Sequence, residues 1–169
     1  SKNLLNANDY GVPQDRKRVI IVGYNKNYFH KAFIPPCPAG NRSTLKDSIS
    51  DLNGSALPGK EKNYTNGEKC IFPNHEYLTG GFSSIYMSRN RVRGWDEPSF
   101  TIQAGGRHAP IHPEAPGMIA AGKDKKIFAP GKEDRYRRLS VRECARIQTF
   151  PDSFLFYYTR LSTGYKMAG

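Results

Sequence analysis

The sequence predicts an α/β fold in which the edge of a sheet is joined to a small, irregular domain of mixed α+β structure. An apolar, β-branched run at residues 18–24, RVIIVGY, is typical of a strand inside a buried sheet. A capped segment that begins near residue 140 predicts a helix towards the other end of the chain. Between the two, residues 53–74 are rich in Gly, Asn, Lys and Pro, which predicts an irregular, partly mobile surface segment.

The first elements are predicted to be two strands joined by a turn. Residues 4–7 resemble the tail of a strand that begins before Ser1, and residues 8–13 have the Asn, Asp, Gly and Pro content of a turn. The apolar run at 18–24 then forms the second strand. Residues 25–42 contain several prolines and are predicted to be a loop.

Two capping boxes predict the helices. Residues 44–47, TLKD, place a Thr three residues before an Asp and open a short helix that should continue through residue 52. Residues 140–143, SVRE, form a stronger box, and their helix should run from residue 141 to about 149, before a proline. Five aromatic residues follow at 150–158, which we interpret as core packing rather than a platform for stacked bases.

The charge of the chain predicts an anionic partner. The sequence has 26 Lys and Arg against 15 Asp and Glu, a net charge of +11, and nucleic acid is the usual partner of such a protein. No apolar run is long enough to span a membrane, and the first residues do not resemble a signal peptide. The three cysteines, at positions 37, 70 and 144, fit neither a disulfide framework nor a zinc site, so we expect a reducing, cytoplasmic setting without a metal.

The segment at residues 89–116 concentrates the side chains that read bases. Arg and Asn or Gln pair with guanine and adenine edges in the major groove. Residues 84–87 and 100–103 alternate like strands, residues 117–121 are a third candidate, and Gly105-Gly106 turns the chain. The candidate DNA-binding residues are Arg89, Asn90, Arg91, Arg93, Gln103, Arg107 and His108. Arg93 is expected to meet a phosphate. The alternative is a solvated, Arg-rich face on an ordinary sheet.

Three blocks of this sequence resemble blocks of bacterial cytosine-5 DNA methyltransferases from restriction-modification systems. Residues 6–18, NANDYGVPQDRKR, resemble the Gln-x-Arg-x-Arg block of that family. Residues 137–151, RRLSVRECARIQTFP, resemble the block that follows its target-recognition region, and residues 164–167, GYKM, resemble the start of its last block. Residues 87–92 and 100–107 resemble the recognition region of the members that modify GGCC.

The resemblance implies a division of the chain into three parts. Residues 1–35 would end a Rossmann-like methyltransferase sheet, residues 36–136 would be the target-recognition domain, and residues 137–169 would form a hinge helix that returns to the catalytic domain. The implied partner is double-stranded DNA, and the implied cofactor is S-adenosylmethionine, whose methyl group goes to C5 of a cytosine flipped out of the duplex.

The resemblance also implies a catalytic role for two arginines. Because strand side chains alternate, Arg16 and Arg18 should lie on one side of the backbone and Lys17 on the other. Arg18 would hydrogen-bond O2 of the flipped cytosine, and Arg16 would hold the site beside it. For Arg16 the alternative is a salt bridge at the sheet edge. An arginine beside a buried strand needs a partner, which makes a purely structural role less suitable for Arg18.

The family's cofactor loop (Phe-x-Gly-x-Gly), its nucleophile motif (Pro-Cys-Gln) and its acid motif (Glu-Asn-Val) do not occur in these residues. Residues 35–38, PPCP, lack the Gln and follow the block that they should precede, so Cys37 is not expected to be the nucleophile. Cys144 is expected to be a small, buried residue.

We therefore expect a chain that is cut at both ends, inactive alone, and completed by an N-terminal catalytic part or subunit in the bacterial cytoplasm. The alternatives are a non-catalytic specificity subunit of a split methyltransferase and a stand-alone DNA-binding protein.

Overall fold

A computed structural model describes residues 1–25, 27–28 and 31–169, so part of the predicted loop at 25–42 lies outside the described residues. The described residues form a small mixed α/β structure with short elements and long connections. Its strands pair into three sheets of two strands each. None of the helices in these residues is long and apolar enough to cross a membrane.

The first sheet consists of β1 (Lys2–Asn6) and β2 (Lys17–Ile21), which pair antiparallel with Leu4 opposite Val19. Both predicted strands are therefore confirmed, although β1 begins at Lys2 and β2 ends at Ile21. The predicted turn contains a 3-10 helix, Ala7–Tyr10, that ends at Gly11. The predicted burial of the second strand is wrong, because Val19 and Ile21 are 62% and 69% exposed. A sheet that has two strands in the described residues cannot enclose a central strand, so the apolar run reaches solvent.

Both capping boxes are confirmed. Helix α1 (Leu45–Ile49) is followed by a 3-10 turn through Leu52, and helix α2 spans Val141–Ile147. Helix α2 ends two residues earlier than expected. Thr149 has a φ of 67°, in the left-handed region that terminates helices. A third helix, α3, spans Leu161–Ala168.

Two of the three strands predicted around the arginine-rich segment are absent, and that part of the prediction is wrong. Residues 84–87 form a turn that leads into a 3-10 helix at Tyr86–Ser88, and residues 100–103 are extended without a strand partner. The amide of Ile102 donates to the Gln14 side chain instead of a neighbouring strand (2.9 Å). The third candidate is confirmed with a shift, as β5 (Ile119–Gly122).

The remaining strands are short. Strands β3 (Leu57–Pro58) and β4 (Glu76–Tyr77) pair in parallel, and β6 (Lys125–Ile127) completes a hairpin with β5. The segment at 53–74 otherwise consists of irregular chain with two short 3-10 helices, Glu61–Asn63 and Gly67–Lys69, so its predicted irregularity is confirmed.

The apolar core is divided into two clusters, and the arginine-rich segment at residues 89–116 contributes side chains to both. One cluster is built on α1, α2 and α3 and includes Ile102, whereas the other contains Tyr86, Val92 and Ile111. Bridges of Ile111 to Val92 and to Arg138 fasten the second cluster to the chain that enters α2. The segment is therefore anchored in both clusters, where His112 is buried, whereas Arg89, Gln103, Arg107 and His108 remain exposed.

The aromatic run at 150–158 contributes only partly to the core. Phe156 is buried, Phe150 and Tyr158 pack against the helical cluster, and Tyr157 is 83% exposed. The core-packing interpretation therefore holds for three of these rings.

Candidate nucleic-acid interface

The structure brings five of the seven candidate DNA-binding residues to one cavity of about 240 Å³. Its polar lining consists of Arg89, Asn90, Arg91, Thr101, Gln103 and His108. The segments at 89–91 and 100–110 meet there because the amide of Ile111 donates to the carbonyl of Arg91 (3.0 Å). We refer to this hollow as the reading cavity.

Three side chains of the reading cavity are free. Arg89, Gln103 and His108 are exposed, and their side chains make no hydrogen bond or ion pair with another residue of the described chain. Their donors and acceptors are therefore available to a ligand. Gln103 is held at its backbone, where the terminal Gly169 packs so closely that a Cβ would lie 2.5 Å from the Gln103 carbonyl.

Arg91 and Asn90 hold the rim of the reading cavity. Arg91 donates through Nε to the carbonyl of Tyr86 (2.8 Å) and through Nη2 to that of Ile85 (3.2 Å), which leaves Nη1 without a partner in the described residues. Burial, and then the neighbouring Arg89, lower the pKa of Arg91. The Asn90 amide donates to the carbonyl of Val92 and accepts from the amide of Met118. Asn90 is thus occupied by backbone.

Arg93 lies outside the reading cavity and is paired within the chain. Its Nη1 is 2.9 Å from Oε1 of Glu97, its Nη2 is 3.8 Å from Asp15, and its guanidinium lies 4.4 Å from the ring centroid of Phe100. The charge that was expected to meet a phosphate therefore has carboxylate partners in this structure.

Arg107 lies beside the reading cavity, in a separate groove that also contains Lys62, Arg138 and Arg160. The preceding Gly106 is buried against the helical core. A Cβ at that position would lie 2.6 Å from Cδ2 of Tyr165. Only glycine allows this close contact, and the contact fixes the backbone position from which the Arg107 side chain extends.

The Gln-x-Arg-x-Arg block contacts the arginine-rich segment at Ile102. Gln14 is fully buried, accepts from the Ile102 amide (2.9 Å) and donates to the side chain of Gln148 beyond α2 (2.7 Å). Arg16 donates to the Ile102 carbonyl (3.3 Å), so its partner is a backbone oxygen and not the salt bridge considered as an alternative. Gln14 had no role in our prediction beyond its place in the block, because nothing in the local pattern indicates its burial.

Arg18 is exposed, and the only hydrogen bond of its side chain in the described residues is from Nη1 to the carbonyl of Lys17 (2.8 Å). The expectation that a buried strand would force a partner on Arg18 is wrong, because the strand itself is exposed. Its guanidinium is therefore available to a ligand.

A buried polar network that is not predicted from the sequence joins the start of α2 to His112. Glu143 is fully buried and receives two hydrogen bonds from Arg137, at 2.8 and 2.7 Å. These bonds outweigh the effect of burial and hold the pKa of Glu143 at about 2. His112 lies 3.5 Å from the same carboxylate, and burial lowers its pKa to about 4. Trp95 packs edge-on against this imidazole.

The three cysteines are free and lie in different surroundings. Cys144 is buried as predicted, and burial raises the pKa of its thiol, whereas Cys37 is exposed on a loop. Across the described residues no group of three or more His, Cys, Asp or Glu could hold a metal ion.

The reading cavity does not fit S-adenosylmethionine. The cofactor carries a positively charged sulfonium, which the two arginines of the cavity would repel, and the lining has no carboxylate for the ribose hydroxyls. No residue described here is assigned to the cofactor.

Comparison with known proteins gives a consistent result. The sequence model described as C-5 cytosine-specific DNA methylase matches residues 1–169. The chain is 59% identical over 168 residues to Type II methyltransferase M.FnuDI of Fusobacterium nucleatum and 62% identical over 166 residues to M.MthTI of Methanothermobacter thermautotrophicus. It is 48% identical over 169 residues to M.NgoPII of Neisseria gonorrhoeae.

Each of these matches covers 98% of this chain, which spans about half the length of the relatives (49%, 50% and 49%). The cavity lined by arginine, glutamine and histidine side chains suits a protein that binds DNA. Because the family model matches the full chain, the chain belongs to the C-5 cytosine-specific DNA methylase family.

Proposed function

We propose that residues 1–169 form the sequence-recognition portion of a cytosine-5 DNA methyltransferase, which binds duplex DNA and supports the flipped cytosine. Joined to a catalytic part, it would direct methyl transfer from S-adenosylmethionine to C5 of a cytosine in GGCC. The observation that carries the proposal is a set of exposed side chains that have no partner among the described residues, namely Arg89, Gln103, Arg107 and His108.

The chemistry of these side chains suits guanine-rich DNA. A GGCC site has two guanines on each strand, and each guanine offers O6 and N7 to a guanidinium fork. Within the described part of the chain, the guanidinium of Arg89 has no partner, and Arg91 has one unpaired amino group on a side chain that is fixed by two hydrogen bonds. Bracing reduces the entropy that an arginine loses on binding, so Arg91 can combine a structural role with base reading.

Arg107 adds a third fork beside the reading cavity, and Gln103 and His108 supply further hydrogen-bonding groups to the base edges. We assign Asn90 to positioning, because its amide is used by Val92 and Met118.

Arg16 and Arg18 are proposed to serve the flipped base. Arg16 is fixed on the Ile102 carbonyl, one residue before Gln103, which couples the Gln-x-Arg-x-Arg block to the reading cavity. Arg18 has its guanidinium in solvent, where it can donate to O2 of a cytosine. Charge that accumulates on the ring during attack would be stabilised by that donor.

Competition binding tests the proposed readers. Arg89→Ala, Arg91→Ala and Arg107→Ala are compared on a GGCC duplex and on duplexes with single base substitutions, over a salt series. A base reader loses roughly 1–3 kcal/mol on the GGCC duplex and relaxes discrimination at one position. Arg93→Ala is the matched control, because its charge is paired with Glu97 and Asp15, and it should leave the discrimination between duplexes unchanged.

Two outcomes contradict the proposal. If the unsubstituted protein binds no duplex, the recognition function is wrong. If all three variants behave like phosphate contacts, which lower the salt slope by about one without loss of discrimination, the assignment of readers is wrong. Specific binding that yields methylation only after a second polypeptide is added would favour the split-subunit alternative.

A further inference from the structure

The groove that contains Arg107 is strongly cationic. It has a volume of about 510 Å³, and its charged lining residues are Lys62, Arg107, Arg138 and Arg160. No Asp or Glu lines it in the described chain. We refer to it as the cationic groove. Four positive charges around one groove without a carboxylate produce a local positive potential that attracts anions.

These charges are not neutralised elsewhere. Lys62 and Arg107 are exposed and have no ion-pair or hydrogen-bond partner for their side chains among the residues described. Arg160 donates through Nη2 to the hydroxyl of Tyr64 (2.9 Å), and its guanidinium lies 4.8 Å from the centre of that ring. Both contacts are with an uncharged group, so Arg160 is oriented while its full charge is retained.

Arg138 places a buried charge at the same groove. It is only 2% exposed and donates to the carbonyls of Gly80 (3.1 Å) and Gly81 (2.8 Å), with its guanidinium 3.9 Å from the ring centroid of Phe82. In the described chain no carboxylate lies within 4 Å of it, and its Nε has no hydrogen-bond partner. A buried charge without a counter-ion is costly, and an anion bound in the groove would offset that cost.

The start of α3 adds to this field. The helix begins at Leu161, directly after Arg160, and the exposed Ser162 also lines the cationic groove. The first amides of a helix have no intrahelical acceptor, and the positive end of the helix dipole lies there. Guanidinium, ammonium, hydroxyl and helix amides are the groups that bind phosphate in proteins.

The cationic groove adjoins the reading cavity. Arg107 lines the groove and His108, the next residue, lines the cavity. A DNA strand whose bases meet the cavity therefore has its backbone close to the groove. A free anion would not explain why the groove lies next to the reading cavity. The charge of the groove and its position therefore favour the sugar-phosphate backbone as the ligand.

We propose that the cationic groove holds a backbone phosphate of duplex DNA beside the bases that are read, with Lys62, Arg160 and Ser162 as its ligands and Arg138 as the buried charge at the site. The inference rests on the proposed recognition function. It assigns to Lys62 and Arg160 a role in affinity and register, without a role in base discrimination.

The test measures duplex affinity of the purified protein and of Lys62→Gln, Arg160→Gln and the double variant over a salt series. Each single variant should weaken the GGCC duplex and base-substituted duplexes by the same factor and lower the salt slope by about one. A slope change of about one means that the advantage of the unsubstituted protein shrinks roughly fourfold between about 50 and 200 mM salt.

Two controls separate charge from structure. Lys46→Gln removes an exposed lysine from α1, outside the groove, and should leave the salt slope nearly unchanged. Tyr64→Phe removes the hydroxyl that Arg160 donates to but keeps the guanidinium. If Tyr64→Phe weakened binding as much as Arg160→Gln, the effect would be one of orientation and the charge assignment would fail.

A scan with single methylphosphonate substitutions identifies the phosphate. One neutral linkage next to the GGCC site should weaken the unsubstituted protein, and this penalty should disappear in the double variant. Equal penalties in both proteins at every position would overturn the proposal. So would loss of base discrimination in Lys62→Gln, or inorganic phosphate binding that the double variant abolishes while duplex binding is unchanged.

Different results would disprove the recognition function and the phosphate site in the groove. If the unsubstituted protein does not bind duplex DNA, both the recognition function and the groove are wrong. If it binds and discriminates GGCC, but Lys62→Gln and Arg160→Gln leave affinity and salt slope unchanged, the recognition function stands and only the groove is wrong.

Discussion

The protonation state of His112 follows from its two neighbours. Its Nδ1 accepts from the amide of Glu114 (3.3 Å), so a neutral ring carries its proton on Nε2, which points towards Glu143 at 3.5 Å. Burial lowers the pKa of His112 from 6.5 to about 4, although Glu143 opposes that shift. The folded protein therefore keeps this imidazole neutral under conditions in which an unfolded chain would charge it.

We expect the free energy of unfolding to fall as the pH is lowered from about 6.5 towards 4, partly because of His112. A histidine whose pKa is lower in the folded state contributes stability above its unfolded value, and this is lost through the folded value. The loss from one such group is at most about 1.4 kcal/mol per pH unit. Denaturant unfolding of His112→Gln should show a flatter dependence on pH between 6.5 and 4.5.

That window excludes Glu143, whose pKa is lowered from 4.5 to about 2, so that its contribution declines only below pH 4.5. His75 is also buried with a lowered pKa, which keeps some slope in the variant. The exposed His108→Gln serves as the control. Equal slopes for His112→Gln and the unsubstituted protein would show that His112 titrates normally.

At the scale of single residues, the sequence predicts which side chains gather but not which are free. Arg89, Gln103 and His108 were grouped from residue type alone, and they do share a cavity. That Asn90 is bound by the Met118 amide depends on a contact 28 residues away, which no local pattern contains. Burial of Gln14 against Ile102 is likewise a property of the tertiary structure.

At the scale of elements, the two capping boxes look alike in sequence and differ in their surroundings. The box of α1, Thr44 with Asp47, is close to the surface, whereas that of α2, Ser140 with Glu143, is completely buried. Nε2 of His75 faces the Leu52 carbonyl, so it carries the proton of a neutral ring, and Nδ1 accepts from the Ser140 hydroxyl (2.8 Å). The Ser140 hydroxyl therefore both caps α2 and donates a hydrogen bond to the buried His75 ring.

Ser140→Ala should consequently destabilise the protein more than Thr44→Ala. The lost cap costs about 1 kcal/mol, and a buried imidazole nitrogen without its donor adds roughly 1–3 kcal/mol. Thermal or denaturant unfolding measures the difference, and Thr44→Ala should stay near the cost of the cap alone. Equal losses in the two variants would contradict the second role of Ser140, as would altered sequence preference without loss of stability.

Capping boxes were predictable because they depend on residues three apart, whereas the strands at 84–87 and 100–103 were not. Alternation of side chains also arises in an extended segment that has no strand beside it. Within residues 100–103, the amide and carbonyl of Ile102 bond to the Gln-x-Arg-x-Arg block, through the Gln14 side chain and the Arg16 guanidinium. A strand would need hydrogen bonds from the backbone of a neighbouring strand. At Ile102 the side chains of Gln14 and Arg16 take the place of that backbone.

At the scale of the whole molecule, the same contacts link three distant parts of the chain. Gln14 joins the hairpin of β1 and β2 to the recognition segment at Ile102 and to Gln148 beyond α2. The free cations lie on both sides of this junction, with Arg18 on the hairpin and Arg89 in the reading cavity. Base reading and support of the flipped cytosine are thereby proposed to occur on one connected framework.

This arrangement predicts that Arg18→Ala separates methylation from binding in a methylation-competent protein that contains these residues. Arg18 has no side chain or carboxylate partner to lose in the described chain, so the substitution should change stability and duplex affinity little. If its guanidinium donates to the O2 of the flipped cytosine, loss of that donor costs about 2–4 kcal/mol, roughly 30- to 1000-fold in methylation rate. Single-turnover methylation and duplex affinity measure the two effects.

Lys17→Ala, which removes the adjacent exposed charge on the other side of β2, should retain the rate. A normal rate in Arg18→Ala would remove Arg18 from the site, and equal losses of rate and affinity would make it a DNA-backbone contact.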